Sequence, residues 1–489
     1  MKRFILISGL FVCCLASCED FLEEEPVGIL TTSQFFKTPN QIQTAVDGAY
    51  TGLAKPFTSV FLGLPISEFL TFSALPGFST NPFGTGPDEA SFVRLDVIDP
   101  GNSYLNHAFN TVYVPMENIN TVIANIAETT VIDEAIKNRY LGQMYFLRAY
   151  HYYYGVKLFG EIPLKTTPTE DISNVELPKA SVEEIYNQIV EDLENAETTG
   201  LPWNDESGHA SMGAVKTLLT RVYLDMAGFP LLKGTEYYQK AYEKSQEVMG
   251  SGAFTLFNEY ADLRDPANEN SGEHIFMVQR QSNVANSELH NAVLPPAVPS
   301  PGNIFESSLL PTIEFYNSYA PGDRRTEDGA YFYTYAPGEV TTYKYWDEAA
   351  AVTPPSGANI PLFRYADVLL MCAEAKVNVD GGTTADPVAV NAYFQVRNRA
   401  FPNEAQPASI TVEDVLKERI WELSFEYLIT WFDLQRTRKT LDVESGEIVD
   451  LIGHKATTHL RPFEESDLYL PLPTEQVNLN PRLAEPASN

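Results

Sequence analysis

The sequence predicts a mostly α-helical fold, a scaffold of helical pairs interrupted by two long loop-rich insertions that contain short strands. Three observations lead there. Apolar residues recur at helical spacing along most of the chain. Two stretches, 55–102 and about 262–361, lose that period and fill with Pro, Gly, Ser, Asn and aromatic residues. Residues 211–227 and 235–250 read as a helix pair split by Gly228-Phe229-Pro230, with Ala214, Leu218 and Tyr223 set against Tyr238, Ala241 and Tyr242. That length and small-residue packing suit one tetratricopeptide-like (TPR-like) unit, although the usual period of roughly 34 residues is not kept strictly.

Taken in order, the chain opens with Lys2 and Arg3 before the apolar run Phe4 to Ala16, which ends in Leu15-Ala16-Ser17-Cys18. A charged start, a short apolar core and small residues describe a secretory signal. The run is too short for a spanning helix, which needs roughly 20 apolar residues. Its Leu-Ala-Ser-Cys ending resembles a bacterial lipobox, which implies removal of residues 1–17 and lipidation of Cys18. A plain secretory signal with a coincidental cysteine is the alternative. Residues 18–38, with Glu19, Asp20 and Glu23 to Glu25, form an acidic leader.

The body, 39–489, reads as one domain: a TPR-like part at about 39–260, the loop-rich region at about 262–361, and a helical part at about 362–489. The first helix places Ile42, Ala45, Val46, Ala49, Tyr50 and Leu53 on one face. Helices follow at 103–128 and 133–159, and Ser181 before Glu184 has capping-box spacing for a helix to about Ala196. Within the second insertion, His274 to Val278 and Tyr331 to Tyr335 alternate as hairpin strands do. Helices return at 363–379, 387–400 and 411–439. Asp380-Gly381-Gly382 reads as a helix-ending turn, because too few oxygen ligands follow for calcium.

Charge excludes one class of partner. The 65 acidic residues outnumber 33 Lys and Arg, a net charge of −32, and loss of Lys2 and Arg3 would make it −34. Such a surface repels nucleic acid, whose recognition needs Lys and Arg against phosphate. Cys13 and Cys14 fall in the signal and Cys18 is the proposed anchor, leaving Cys372 for the body. Its neighbours Val368 to Ala373 are apolar, so a buried, inert thiol is expected.

Catalytic signals are weak. None of His107, His151, His209, His274, His290, His454 and His459 falls in a metalloprotease motif, and His454 and His459 read as solvated loop residues. There is no G-x-S-x-G, Walker A or G-x-G-x-x-G sequence. Glu374, Glu418, Glu422, Glu426 and Asp433 could supply a hydrolase dyad. Each has one of Arg364, Arg397, Arg399, Arg419 and Arg436 nearby, so buried Arg–carboxylate pairs joining helices are the expectation. No catalytic residue, cofactor or metal is therefore assigned.

Binding fits better. Carbohydrate sites set an aromatic ring against a sugar face and direct amides or acids at its hydroxyls, and both insertions carry that mix. The first offers Phe78, Asn81, Phe83 and Asp88, with Phe69, Phe72 and Phe92 nearby. The second offers Gln281, Asn283, Asn286, His290, Tyr343 and Trp346, with Tyr331 and Tyr333 nearby. Each competes with a packing role. Trp346 leads, because Tyr343-Lys344-Tyr345-Trp346 is too polar for continuous core, whereas Trp203, Trp421 and Trp431 adjoin helices and read as packing.

One series of motifs runs along nearly the whole chain: Cys18-Glu19-Asp20-Phe21-Leu22-Glu23; Arg148-Ala149-Tyr150 and Leu158-Phe159-Gly160 with Ile162-Pro163; Asp323-Arg324-Arg325; Arg364-Tyr365-Ala366-Asp367 with Ala373-Glu374-Ala375; Val396-Arg397-Asn398-Arg399-Ala400; Glu418-Arg419 with Glu422 to Glu426; Asp433-Leu434-Gln435-Arg436; and Leu470-Pro471-Leu472-Pro473. In this order they resemble the SusD/RagB family of Bacteroidetes nutrient-uptake lipoproteins. Tyr427-Leu428-Ile429 stands where that family has a Gly and a basic residue, and a closing Gly-Tyr is absent. The resemblance implies a lipoprotein of the outer membrane, exposed at the cell surface, whose two insertions bind an oligosaccharide. It also implies a partner, a SusC-type TonB-dependent transporter to which the ligand is delivered. A peptide-binding, RagB-like protein and a surface glycoside hydrolase are the alternatives.

Overall fold

The computed structural model of the chain describes residues 35–54, 91–92, 95–169, 175–287, 289–292, 311–426, 428–456 and 459–487. Consecutive helices pair off. α1 (Pro39–Ala54) packs on α2 (Ser103–Glu128), α3 (Glu134–Phe159) on α4 (Val182–Glu197), α5 (Met212–Ala227) on α6 (Thr235–Gly250), and α7 (Tyr365–Val379) on α8 (Pro387–Ala400). The pairs themselves pack in chain order, α2 on α3, α4 on α5 and α6 on α7.

Local chemistry sets these elements. Ser181 and Glu184 form the expected capping box. Ser211 accepts from the Ala214 N–H at the start of α5, and Asp386 accepts from Val388 and Ala389 at the start of α8. The predicted face of α1 is buried, except that Tyr50 stays partly exposed. Gly52 lets α1 approach α2, since a Cβ there would lie 2.6 Å from Pro115. Helix α5 is buried on every side, as a central helix of the array should be.

The second insertion leaves and rejoins the array at one place. Its strands are β1 (His274–Val278), β2 (Phe332–Ala336), β3 (Glu339–Thr342) and β4 (Ile360–Arg364). β2 and β3 make the expected local hairpin. β1 instead pairs antiparallel with the distant β4, His274 opposite Arg364 and Val278 opposite Ile360. All five residues of β1 are buried, so it is a core strand and not a half-exposed hairpin arm. This two-stranded neck holds α6 against α7 across the insertion.

The predicted helix 411–439 is two helices, α9 (Val412–Leu423) and α10 (Ile429–Thr437). Between them Phe425 (φ 64°) and Leu428 (φ 57°) are left-handed, a conformation that glycine adopts more cheaply. The departure noted at Tyr427-Leu428-Ile429 falls on this break.

Arg–carboxylate pairing is more extensive than the sequence implies. In one buried cluster Arg325 meets Asp323 (2.7 Å) and Glu418 (2.8 Å), Arg399 bridges Glu273 (2.6 Å) and Glu422 (2.7 Å), and Arg364 reaches Glu273, Glu422 and Glu426. In a second, Arg419 contacts Asp367 (2.9 Å), Glu374 (3.3 Å) and Asp433 (2.8 Å), Arg221 pairs with Asp367, and Arg436 with Glu374 and Asp433. The first cluster welds the insertion (Glu273, Asp323, Arg325) and the end of β4 (Arg364) to α8 and α9. Elsewhere in the core the Cys372 thiol is buried as expected, and burial pushes it up to about 12. His459 departs from expectation: it is buried beside Phe463, and not solvated.

Candidate ligand-binding site

The strip Tyr343–Trp346 divides into an inward and an outward pair. Lys344 and Tyr345 point into the protein and use the carbonyls that the α9–α10 break leaves free. The Lys344 ammonium donates to Glu422 O (2.7 Å), Ser424 O (2.7 Å) and the Glu426 carboxylate (2.8 Å), and lies 3.9 Å from the centre of the Tyr331 ring. The Tyr345 hydroxyl donates to Phe425 O at 2.6 Å. Burial lowers the Lys344 pKa to about 8 although Glu426 opposes the shift. Tyr331, buried beneath, is a packing residue.

Tyr343 and Trp346 face outward, both half-buried. Their rings stack with centroids 5.0 Å apart and planes 14° from parallel. Tyr333, on β2 and 39 % exposed, stacks on Tyr343 at 5.7 Å and 26°, extending the row. The Arg264 guanidinium lies 4.6 Å from the Tyr343 centroid and is itself held by Gly329 O and Ala330 O at 2.7 and 3.0 Å. His290 meets Trp346 edge-on at 5.5 Å but is only 2 % exposed, and its Nδ1 accepts from the Asp347 N–H. Burial lowers its pKa, so the ring is a neutral prop behind Trp346.

A polar edge is tied to this row. Asp347 caps a short helix through the N–H groups of Ala349 and Ala350 and accepts from the Ser356 hydroxyl (2.7 Å). Ser356 O in turn accepts from the Ser287 N–H (2.9 Å). The Ser282 hydroxyl donates to Pro355 O (2.9 Å), fixing the turn that carries Gln281, Asn283 and Asn286. In that turn the Asn286 carboxamide accepts from the Asn283 N–H (2.8 Å), and Asn283 adopts φ 64°, which Asn tolerates better than most residues. Gln281 and Asn283 are exposed; Asn286 is half-buried and occupied in the turn. Arg280 donates to Ala54 O (3.2 Å), at the point where the first insertion leaves α1.

The structure thus joins Gln281, Asn283, Asn286, His290, Tyr343 and Trp346 into one neighbourhood. Cys18, Phe78, Asn81, Phe83 and Asp88 lie outside the described residues. Phe92 is core, packed edge-on against Tyr104. Trp431 is buried and Trp421 partly so, as expected, but Trp203 is 37 % exposed. Sequence reasoning missed Asp347 and Arg264. Asp347 before Glu348-Ala349-Ala350-Ala351 is a readable N-cap signal; Arg264 has no comparable local signature. The candidate dyad carboxylates Glu418, Glu422 and Glu426 are buried and held by Arg325, Arg364 and Arg399. Among the described residues no group of three or more His, Cys, Asp or Glu is placed to hold a metal ion.

Helical pairs in chain order, with aromatic and amide residues displayed on an insertion, define a TPR-like scaffold protein. The comparisons make the class specific. Residues 273–487 match the SusD family, and residues 85–224 match a family described as starch-binding and associating with the outer membrane. A SusD superfamily protein from Parabacteroides distasonis has a crystal structure similar at TM-score 0.83 and 32 % identity, over 91 % of this chain and 98 % of that one. SusD-like protein P2 of Formosa agariphila is 26 % identical over 90 % of this chain and 91 % of its own. The surface glycan-binding protein A of Bacteroides thetaiotaomicron, solved with laminarihexaose, has the same fold at TM-score 0.74 and 19 % identity, over 90 % and 98 %. The chain belongs to the SusD superfamily.

Proposed function

We propose that this protein captures oligosaccharides on the row Tyr333–Tyr343–Trp346 and delivers them, uncleaved, to a SusC-type TonB-dependent transporter. The observation that carries the reading is the stacked, half-exposed row, tied through Asp347, Ser356 and Ser287 to the turn that carries Gln281 and Asn283, on a SusD-superfamily scaffold. Stacking covers the facing sides of the three rings, so what the row offers a sugar is the half-exposed surface left on Tyr333 and Trp346, held at little cost in conformational entropy, while carboxamides offer a donor and an acceptor to adjacent hydroxyls. Phe78, Asn81, Phe83 and Asp88 of the first insertion belong to the same proposed ligand-binding set. A glycan bound to a relative of the same fold supports the ligand class.

Lipidation of Cys18 keeps the binder in the outer membrane beside its transporter, where high effective concentration compensates for modest affinity. The Arg-bound carboxylates supply no free acid–base pair, so release needs no covalent step.

A panel of oligosaccharides and peptides incubated with the protein tests the proposal. Retention of a glycan without new reducing ends is the expected result. Retention of peptides alone would place the protein with RagB-like uptake, and cleavage would make it a hydrolase.

A further inference from the structure

A second concavity, of about 550 Å³, shares no residue with the aromatic row. Its walls are the segment Phe254–Glu259 and the α8 residues Gln395, Asn398 and Arg399, closed by Arg324, Tyr365 and Pro402. That volume lies within the range of roughly 300–1,000 Å³ for small-molecule sites.

Its polar groups are unevenly used. Arg399 pairs with Glu273 and Glu422 through its two terminal nitrogens, while its buried Nε has no hydrogen-bond partner among the described residues, and Arg324 is paired with Glu259 at 2.5 Å, so the charges are balanced locally. Asn258, Gln395 and Asn398 are exposed, and their carboxamides make no hydrogen bond to the described residues. Three carboxamides of the neighbouring segments are instead spent within the protein: Gln279 and Asn270 bond each other reciprocally at 2.9 Å, and Asn359 donates to Gln279 at 3.0 Å. Gln395 and Asn398, three apart on α8, present their amides on one face. Phe257 and Tyr365 add apolar surface to the same cleft.

Unspent paired donors and acceptors without net charge match vicinal hydroxyls and disfavour an ionised ligand. We propose that this cleft is a second binding site, for a neutral hydroxyl-rich molecule of mono- to disaccharide size, held by Asn258, Gln395 and Asn398. It does not depend on the aromatic row.

The test uses the full chain carrying Trp346→Ala, titrated with maltose, cellobiose and xylobiose by calorimetry and saturation-transfer NMR. At least one disaccharide should bind this variant. Adding Gln395→Ala and Asn398→Ala should weaken that binding about tenfold or more, with the melting temperature unchanged because both side chains are exposed. Absence of binding by all three disaccharides, or binding indifferent to the added pair, overturns the proposal. If Trp346→Ala binds as the unaltered protein does and the pair abolishes binding, the cleft stands and the aromatic row fails.

Discussion

Trp346 lies face to face with Tyr343, ring centroids 5.0 Å apart, and Lys344 between them in sequence pins the strip from below to Glu422 O and Ser424 O. Outward aromatics and an inward cation thus alternate within four residues. The platform is therefore mechanically coupled to the α9–α10 break, which supplies the carbonyls that Lys344 and Tyr345 bind.

Lys344→Ala should act on both stability and binding. It leaves Ser424 O without its ammonium donor in a buried site, while Glu422 O and the Glu426 carboxylate lose one of two donors and keep Arg364. Such a loss costs about 1–3 kcal/mol. Denaturant titration should show a lower midpoint with a similar slope, and oligosaccharide affinity should fall with the loosened strip.

Asp347→Ala should act locally. It removes the cap on Ala349 and Ala350 and the link to Ser356, at a cost of about 1 kcal/mol. Hydrogen exchange should quicken around 281–287 and 347–352 while the helical pairs keep their protection.

Arg325→Ala should be severe. Asp323 and Glu418 would remain buried without their principal cation, a change that costs about 3–5 kcal/mol or more. Expression and thermal melting should reveal it, and Arg324→Ala, at the half-buried neighbour whose partner Glu259 is exposed, should leave the melting temperature nearly unchanged.

Acid should unfold the protein through the clusters. Burial raises the Glu422 pKa, but Arg399, Arg364 and Arg325 outweigh it and hold the carboxyl at about 2. Against an unfolded value of about 4.3, the unfolded chain binds more protons between these limits. The stability Glu422 contributes is therefore complete above pH ~4.3 and is lost as pH falls toward 2, on the order of 3 kcal/mol. Asp433, also lowered to about 2, acts in the same direction. Thermal melts should decline through this window, and less steeply in Glu422→Gln, whose reference stability is lower.

Much of this was legible in the sequence because its cause is local. Ser181 and Glu184 announce their helix, Gly381 and Gly382 end theirs, and the Arg–acid spacing of the last helices announces buried pairs. What was hidden depends on partners distant in sequence. β1 reads as a hairpin arm because nothing near His274 names Ile360 as its neighbour. The 424–428 break is masked by helical periodicity on both sides, and its reason, Lys344 and Tyr345, lies about eighty residues upstream. Tyr343 and Trp346 stood out because a polar strip rarely carries two large rings without a surface role. His290 was placed among the contact residues, yet its burial behind Trp346 follows from the fold and not from its neighbours.

Oligosaccharide capture on the aromatic row depends most directly on Trp346. Calorimetry with laminarihexaose and xylogluco-oligosaccharides, run on the unaltered chain and on Trp346→Ala with product analysis alongside, decides it. Saturable binding of at least one ligand without cleavage, weakened about tenfold or more in the variant at a nearly unchanged melting temperature, is the predicted result. Equal affinity in the two proteins, no binding to either, or release of shortened products would contradict it.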